Sequence, residues 1–145
     1  MRSTYGLLAM VTLATRYPQG PISVSSIAEK EHVSLPYLEQ ILNRLKRDGL
    51  VSSERGPKGG YHLIKSPEAI MIGEIVRVLE NGMEVLYDGE AGAQDALHPV
   101  VTLVWGKIVQ GMRDVLDRTS LKDLCEEVKQ CGLDEAMEHR YTFHV

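Results

Sequence analysis

Leu38, Ile41, Leu42 and Leu45 recur at i, i+3, i+4 and i+7, the spacing of an apolar stripe on one side of a helix. Ser34 stands ahead of the stripe as an N-cap, and Pro36 falls in the first turn, where the amide it lacks has no intrahelical partner. Gly49 supplies the stop. The pattern predicts a helix from Ser34 to about Arg47 or Asp48. At 100° per residue its opposite face carries Pro36, Gln40, Asn43 and Arg47, with Tyr37 and Arg44 on one edge and Glu39 on the other. A shorter helix precedes it, capped by Ser23 and containing Ile27 and Ala28, whose small side chain allows the two helices to pack closely. The turn between them is His32-Val33-Ser34, with His32 where left-handed backbone is expected. An earlier helix, from about Ser3 to Arg16, offers a broad apolar face through Leu7, Leu8, Val11 and Ala14 and ends at Pro18, Gly20 and Pro21.

After Gly49 the helical period gives way to two short extended runs, Leu50–Ser53 and Tyr61–Ile64. The tip between them reads Arg55-Gly56-Pro57-Lys58-Gly59-Gly60-Tyr61. Its glycines allow positive φ and close approach of the main chain, Pro57 sets a turn, and Arg55 and Lys58 bring charge. Ile72, Ile75, Val76 and Leu79 form a further helical stripe that stops at Asn81-Gly82, and residues 82–96 read as a loop. A long helix is expected from Pro99 to about Arg118. On it Val101, Val104, Ile108, Met112 and Val115 recur at spacings of three and four, with Trp105 and Val109 alongside. Such a stripe can pack on its own chain or lie against a twin across a twofold axis. A last helix from Ser120 to about Gln130 and an extended tail, 141–145, complete the chain. The expected fold class is mostly α with a minor α+β part: a winged helix–turn–helix domain plus a long C-terminal helix that is a candidate for dimerisation. The expected divisions are 1–80 for a candidate DNA-binding domain, 81–97 for an acidic loop, and 98–145 for the candidate dimerisation helix and C-terminal region.

Charge sharpens this division. The 145 residues carry a net charge of −4, but residues 1–65 hold nine Lys/Arg against five Asp/Glu, a net of +4, and residues 66–145 hold seven against fifteen, a net of −8. The basic half can attract phosphate while the acidic half repels it. The length suits one domain, or one small domain with an oligomerisation arm. No uncharged apolar run approaches the roughly 18 residues that span a bilayer, and no signal-peptide pattern opens the chain. Two cysteines, Cys125 and Cys131, are too few for a disulfide scaffold and fit a reducing cytoplasm. Six apart near a helix end, they fall on different faces, a poor pair for a metal but open to oxidation as single thiols. Glu84, Asp88, Glu90, Asp95 and His98 match no metal-binding spacing. The chain lacks a phosphate loop, a nucleophile elbow and a paired acid–base constellation, so it does not read as an enzyme.

A helix–turn–helix followed at this distance by a basic glycine-rich hairpin suits duplex DNA. The polar face around Gln40, Asn43 and Arg47 would meet the major groove, and Arg55 the narrow minor groove. A winged helix used only for protein contact is the competing class, favoured by the acidic half.

The run Ser34-Leu35-Pro36-Tyr37-Leu38-Glu39-Gln40, then Gly49-Leu50-Val51, then Arg55 to Tyr61, resembles the Rrf-type (Rrf-two) winged-helix regulators. The resemblance implies a homodimeric transcription factor on a pseudo-palindromic operator, probing bases with Ser34, Pro36, Tyr37, Glu39 and Gln40. Asn43, Arg44 and Arg47 are assigned with them, as are Arg55, Gly56, Lys58, Gly59, Gly60 and Tyr61 of the wing. The implied dimer face is Val101, Val104, Trp105, Ile108, Met112 and Val115. Iron–sulfur members of the family carry three cysteines before the long helix. Here no cysteine lies between Gly82 and Val104, and Pro99 and Thr102 stand where two ligands are expected. The chain is therefore most similar to the clusterless branch that represses cysteine metabolism, with no bound cofactor or metal. The tail implies a partnership with cysteine synthase. A redox- or metal-responsive regulator of the same family is the alternative.

Overall fold

The structure is a computed structural model and describes residues 2–80 and 99–132. Three helices come first: α1 (Arg2–Arg16), α2 (Val24–Glu31) and α3 (Leu35–Arg47). A two-stranded antiparallel hairpin follows, β1 (Val51–Glu54) on β2 (Gly60–Leu63), with Val51 opposite Leu63 and Glu54 opposite Gly60. After a single 3-10 turn, Pro67–Ala69, the chain enters α4 (Ile72–Glu80), and α5 (Pro99–Arg118) and α6 (Leu121–Gln130) complete the described elements.

The cap expected at Ser23 forms, and the one expected at Ser34 forms only in backbone conformation. Ser23 Oγ accepts from the Ser26 amide at 3.2 Å, and His32 closes α2 with φ 51°, the left-handed geometry its position demands. Ser34 takes the N-cap backbone conformation but makes no side-chain cap bond. Ser120 and Asp123 cap α6 reciprocally at 3.0 Å. The strand bounds lie one residue from those expected, 51–54 and 60–63 rather than 50–53 and 61–64, and the Ile64 amide still donates to the Leu50 carbonyl at 3.3 Å beyond the strand ends.

Leu38, Ile41, Leu42 and Leu45 are all buried, each contributing roughly 1.5–3 kcal/mol by leaving water. They meet Ala9, Met10 and Leu13 of α1 and Ile75 and Leu79 of α4. Here α1 differs from its sequence reading. Its buried line runs through Gly6, Ala9, Met10 and Leu13, while Leu7, Leu8, Val11 and Ala14 are only half-buried. The helix is apolar on nearly all sides, so periodicity could not select the inner one. Gly6 lies where a Cβ would run into Leu79, and this sets the close approach of α1 to α4.

Although it lies in the stretch 98–145, α6 packs on the N-terminal core through Leu121, which is fully buried. Its start is stitched to α4: the Leu121 amide donates to the Ile70 carbonyl at 2.8 Å, and the Ile72 amide to the Thr119 carbonyl at 2.9 Å. An ion pair joins Arg77 to Asp117, and Lys122 reaches Glu68 at 2.7 Å. The rest of α5 buries none of its 20 residues in the protomer.

Glu80 closes the other end. Its Oε1 accepts from both the amide and the hydroxyl of Ser3, satisfying a donor in the first turn of α1 that has no helical partner. These two bonds from Ser3 hold the Glu80 carboxyl below its ordinary range. A depressed carboxylate stabilises the fold above its unfolded pKa, and that stabilisation disappears as pH falls through the folded value. Glu80→Gln should therefore flatten the acid limb of the stability curve, measured by denaturant melts across the glutamate range. An unchanged acid limb would remove this contribution.

Candidate nucleic-acid interface

The outward face of α3 is formed as its spacing requires. Pro36, Glu39, Gln40, Asn43 and Arg47 are exposed, and so is Ser34 at its start. Basic residues crowd the last turn, namely Arg44, Lys46 and Arg47, where they complement the negative end of the helix dipole. The tip of the hairpin is a four-residue β-turn: the Gly59 amide donates to the Gly56 carbonyl at 2.9 Å across Pro57 and Lys58. Arg55, Gly56, Pro57 and Lys58 are all exposed, so two cations stand at the turn with nothing covering them among the described residues.

The three glycines of the wing have separate reasons. Gly56 needs its φ of 109°. Gly59 does not take a positive φ; a Cβ there would meet the Glu54 carbonyl. Gly60 needs both freedoms, with φ 151° and the Ile22 carbonyl where a Cβ would stand. That contact comes from an additional bridge, Ile22 to Tyr61, with paired backbone bonds of 3.0 and 2.9 Å. The loop after α1 thus adds a short third edge to the wing. One isolated residue between Pro21 and a serine cap carries no strand signal.

Several site residues brace rather than face outward. The Tyr61 ring is 9% exposed and belongs to the core, with its hydroxyl donating to Asn43 Oδ1 at 3.2 Å. Burial, and then the nearby Glu39 carboxylate, push its phenol pKa upward. Arg44 donates through Nη1 to the Leu79 carbonyl at 3.2 Å and ties α3 to the end of α4. Half-buried Tyr37 packs edge-to-face on Tyr5 of α1, ring centres 5.9 Å apart, fixing the start of α3. Lys46, which the sequence pattern does not single out, donates to Ser53 Oγ at 2.7 Å and links α3 to β1. The helix and the wing are therefore joined by both strands, Asn43 to β2 and Lys46 to β1.

On α5 the six assigned side chains are exposed, from Val101 at 38% to Val115 at 58%. Val76, Gly111, Met112, Val115 and Leu116 line an apolar cleft where this helix leaves α4. Among the described residues no helix is long and apolar enough to cross a membrane.

Comparison with known proteins places this architecture. A family model described as an iron-dependent transcriptional regulator, Rrf2, matches residues 1–127. The chain belongs to the Rrf2 family. It is 40% identical over 147 residues to the HTH-type transcriptional regulator CymR of Bacillus subtilis strain 168, covering 99% of this chain and 96% of that relative. It is 32% identical over 124 residues to the HTH-type transcriptional regulator IscR of Escherichia coli O1:K1 / APEC, covering 85% and 76%. The solved structure of CymR, the global cysteine regulator of B. subtilis, superposes with a TM-score of 0.77 at 37% identity, covering 88% of this chain and 95% of that one. Staphylococcus aureus CymR gives 0.75 at 41% identity, covering 86% and 95%. This Rrf2 member is a DNA-binding transcriptional regulator and not an enzyme.

The family description raises the question of iron. The donor set does not fit a thiolate-held cluster. The two cysteines lie on and just after α6, Cys125 half-buried and Cys131 exposed, and Pro99 and Thr102 open α5 without a ligand side chain suited to iron. Among the described residues no three His, Cys, Asp or Glu side chains converge on a common point. The acidic stretch with Glu84, Asp88, Glu90, Asp95 and His98 lies outside the described residues, as does the tail 141–145.

Proposed function

We propose that this Rrf2 member is a homodimeric, cofactor-free repressor working in the cytoplasm on genes of cysteine or sulfur metabolism. Each subunit lays α3 in a major groove and sets Arg55 in the adjacent minor groove. The two half-sites then stand about 34–36 Å apart, or a multiple of that. Residues 1–80 do the reading and α5 the pairing. The observation that carries the proposal is the linked pair of exposed surfaces, the Gln40–Asn43–Arg47 face and the Arg55–Lys58 turn, joined through Asn43–Tyr61 and Lys46–Ser53. Likeness to the B. subtilis cysteine regulator supports the choice of genes. Partnership with cysteine synthase belongs to the same proposal and rests on the resemblance of the tail alone.

Capture of genomic fragments by the purified protein tests the target. Enrichment of sulfur-assimilation promoters is the expected result, and enrichment of iron–sulfur assembly promoters would overturn the choice of genes. On a recovered operator, Arg55→Ala should cost about 1–3 kcal/mol and lower the slope of affinity against salt by about one unit. Fluorescence anisotropy over a salt series measures both, and an unchanged mutant would remove the wing from DNA contact.

A further inference from the structure

Asn43 occupies the exposed face of α3, one turn beyond Glu39 and one turn before Arg47. An asparagine on a groove helix has a well-defined use. Its amide pairs with adenine in two bonds, the oxygen accepting from N6 and the nitrogen donating to N7. That mode needs both ends of the amide free to align in the plane of the base.

Here one end is already held. Tyr61 donates its hydroxyl to Asn43 Oδ1 at 3.2 Å. The donor does not yield easily, because its ring is buried and its backbone is bonded to Ile22 on one side and paired with Ser53 of β1 on the other. The plane of the Asn43 amide is thereby set by the wing rather than by whatever base lies opposite. Tyr61 takes one of the two lone pairs of Oδ1 and fixes the tilt of the amide, and the Nδ2 group, which donates two hydrogens and accepts none, has no part in that bond. Such a group suits an oxygen of the DNA backbone, and Arg47 on the next turn of the same face favours that neighbourhood.

We infer that Tyr61 holds Asn43 as a donor-only contact to the DNA backbone and withholds from it the adenine readout its side chain would otherwise perform. The inference rests on α3 being the groove helix. It makes Tyr61 a positioning residue that limits sequence choice without touching DNA.

Selection from a random duplex library, with sequencing of the bound pool, tests it on the full-length wild type, Tyr61→Phe, Asn43→Ala and the double variant. Tyr61→Phe keeps the buried ring and loses only the hydroxyl. It should gain a preference for adenine at one added position in each half-site, enriched by about fivefold or more, and the double variant should lose that preference. Asn43→Ala should keep the wild-type base preferences and bind every selected sequence more weakly, by about three- to tenfold for one neutral hydrogen bond. Identical preferences in wild type and Tyr61→Phe would overturn the inference. So would an adenine preference in the wild type that Asn43→Ala abolishes, a result that stands even if Tyr61→Phe folds poorly. Wild type that selects no duplex sequence defeats instead the reading of α3 as a groove helix, and this inference with it.

Discussion

Replacing Val104 and Ile108 together by aspartate is expected to separate the subunits of the proposed dimer and to weaken operator binding by about 10²–10⁴. Helix α5 runs 20 residues and buries none of them in the protomer, yet it carries Val101, Val104, Trp105, Ile108, Met112 and Val115 at spacings that keep them on one side. Scattered apolar residues on a surface need no explanation, but a continuous stripe rimmed by charge marks a surface built for a partner. A second copy of the same helix matches it by symmetry, since an isologous contact sets like residues near one another about the twofold axis. Two carboxylates per subunit buried against their mates would lose water and repel one another across the twofold axis. Once the pair is lost, the second half-site is no longer held near the first at millimolar effective concentration, and the avidity goes with it. Sedimentation equilibrium gives the state of assembly, and anisotropy on full and half operators gives the affinity ratio. The fold itself should survive, because Val104 is 49% and Ile108 46% exposed in the protomer. A variant that stays dimeric would assign the stripe to another contact.

How far the architecture can be read from the chain depends on whether each element has one distinguishable face. Helix α3 does: four apolar residues on one side, polar ones on the other, a serine in front and a glycine behind. Its burial therefore follows the periodicity residue by residue. The C-terminal limit of α5 at Arg118 is legible because Ser120 caps the next helix directly after it. Helix α1 is not, because Leu7, Leu8, Val11 and Ala14 make an apolar case for one side while Gly6 and Ala9, small and unremarkable in sequence, mark the side that packs closest. Long-range polar contacts are hidden altogether. Arg44 reads as a cation on the edge of the interface, and its bond to the Leu79 carbonyl depends on where α4 ends relative to α3. Tyr61 restarts a strand and so reads as part of the tip, yet alternation along β2 turns its ring inward with Leu63, leaving only its hydroxyl at the interface. The chemistry of the site is thus written locally, and its bracing is written between elements that only the fold brings together.

Gly60→Ala is the second large effect to expect, a loss of about 2–4 kcal/mol in stability together with a misplaced wing. The φ of 151° lies in a region that L residues enter only under strain, at a cost on the order of 1–3 kcal/mol. A Cβ at this position would also collide with the Ile22 carbonyl and lie 2.7 Å from the Ser23 amide nitrogen. Those are backbone atoms, so no rotamer change relieves the clash. Relief requires separating Ile22 from Tyr61 and breaking the pair of bonds that fix the third edge of the wing. Because Ser23 caps α2, the disturbance reaches the helix–turn–helix as well as the hairpin. Gly56→Ala provides the contrast: its φ of 109° carries strain, but nothing stands within 4 Å of the added methyl, so it should cost less and leave the Ile22 bridge intact. Thermal unfolding should show a drop of roughly 10 °C for Gly60→Ala and a smaller one for Gly56→Ala. Amide exchange at Ile22 and Tyr61 should accelerate in the first variant alone. Equal melting temperatures with both amides still protected would show that the wing tolerates a side chain at its base, and the close approach of Ile22 would then have no part in aiming Arg55.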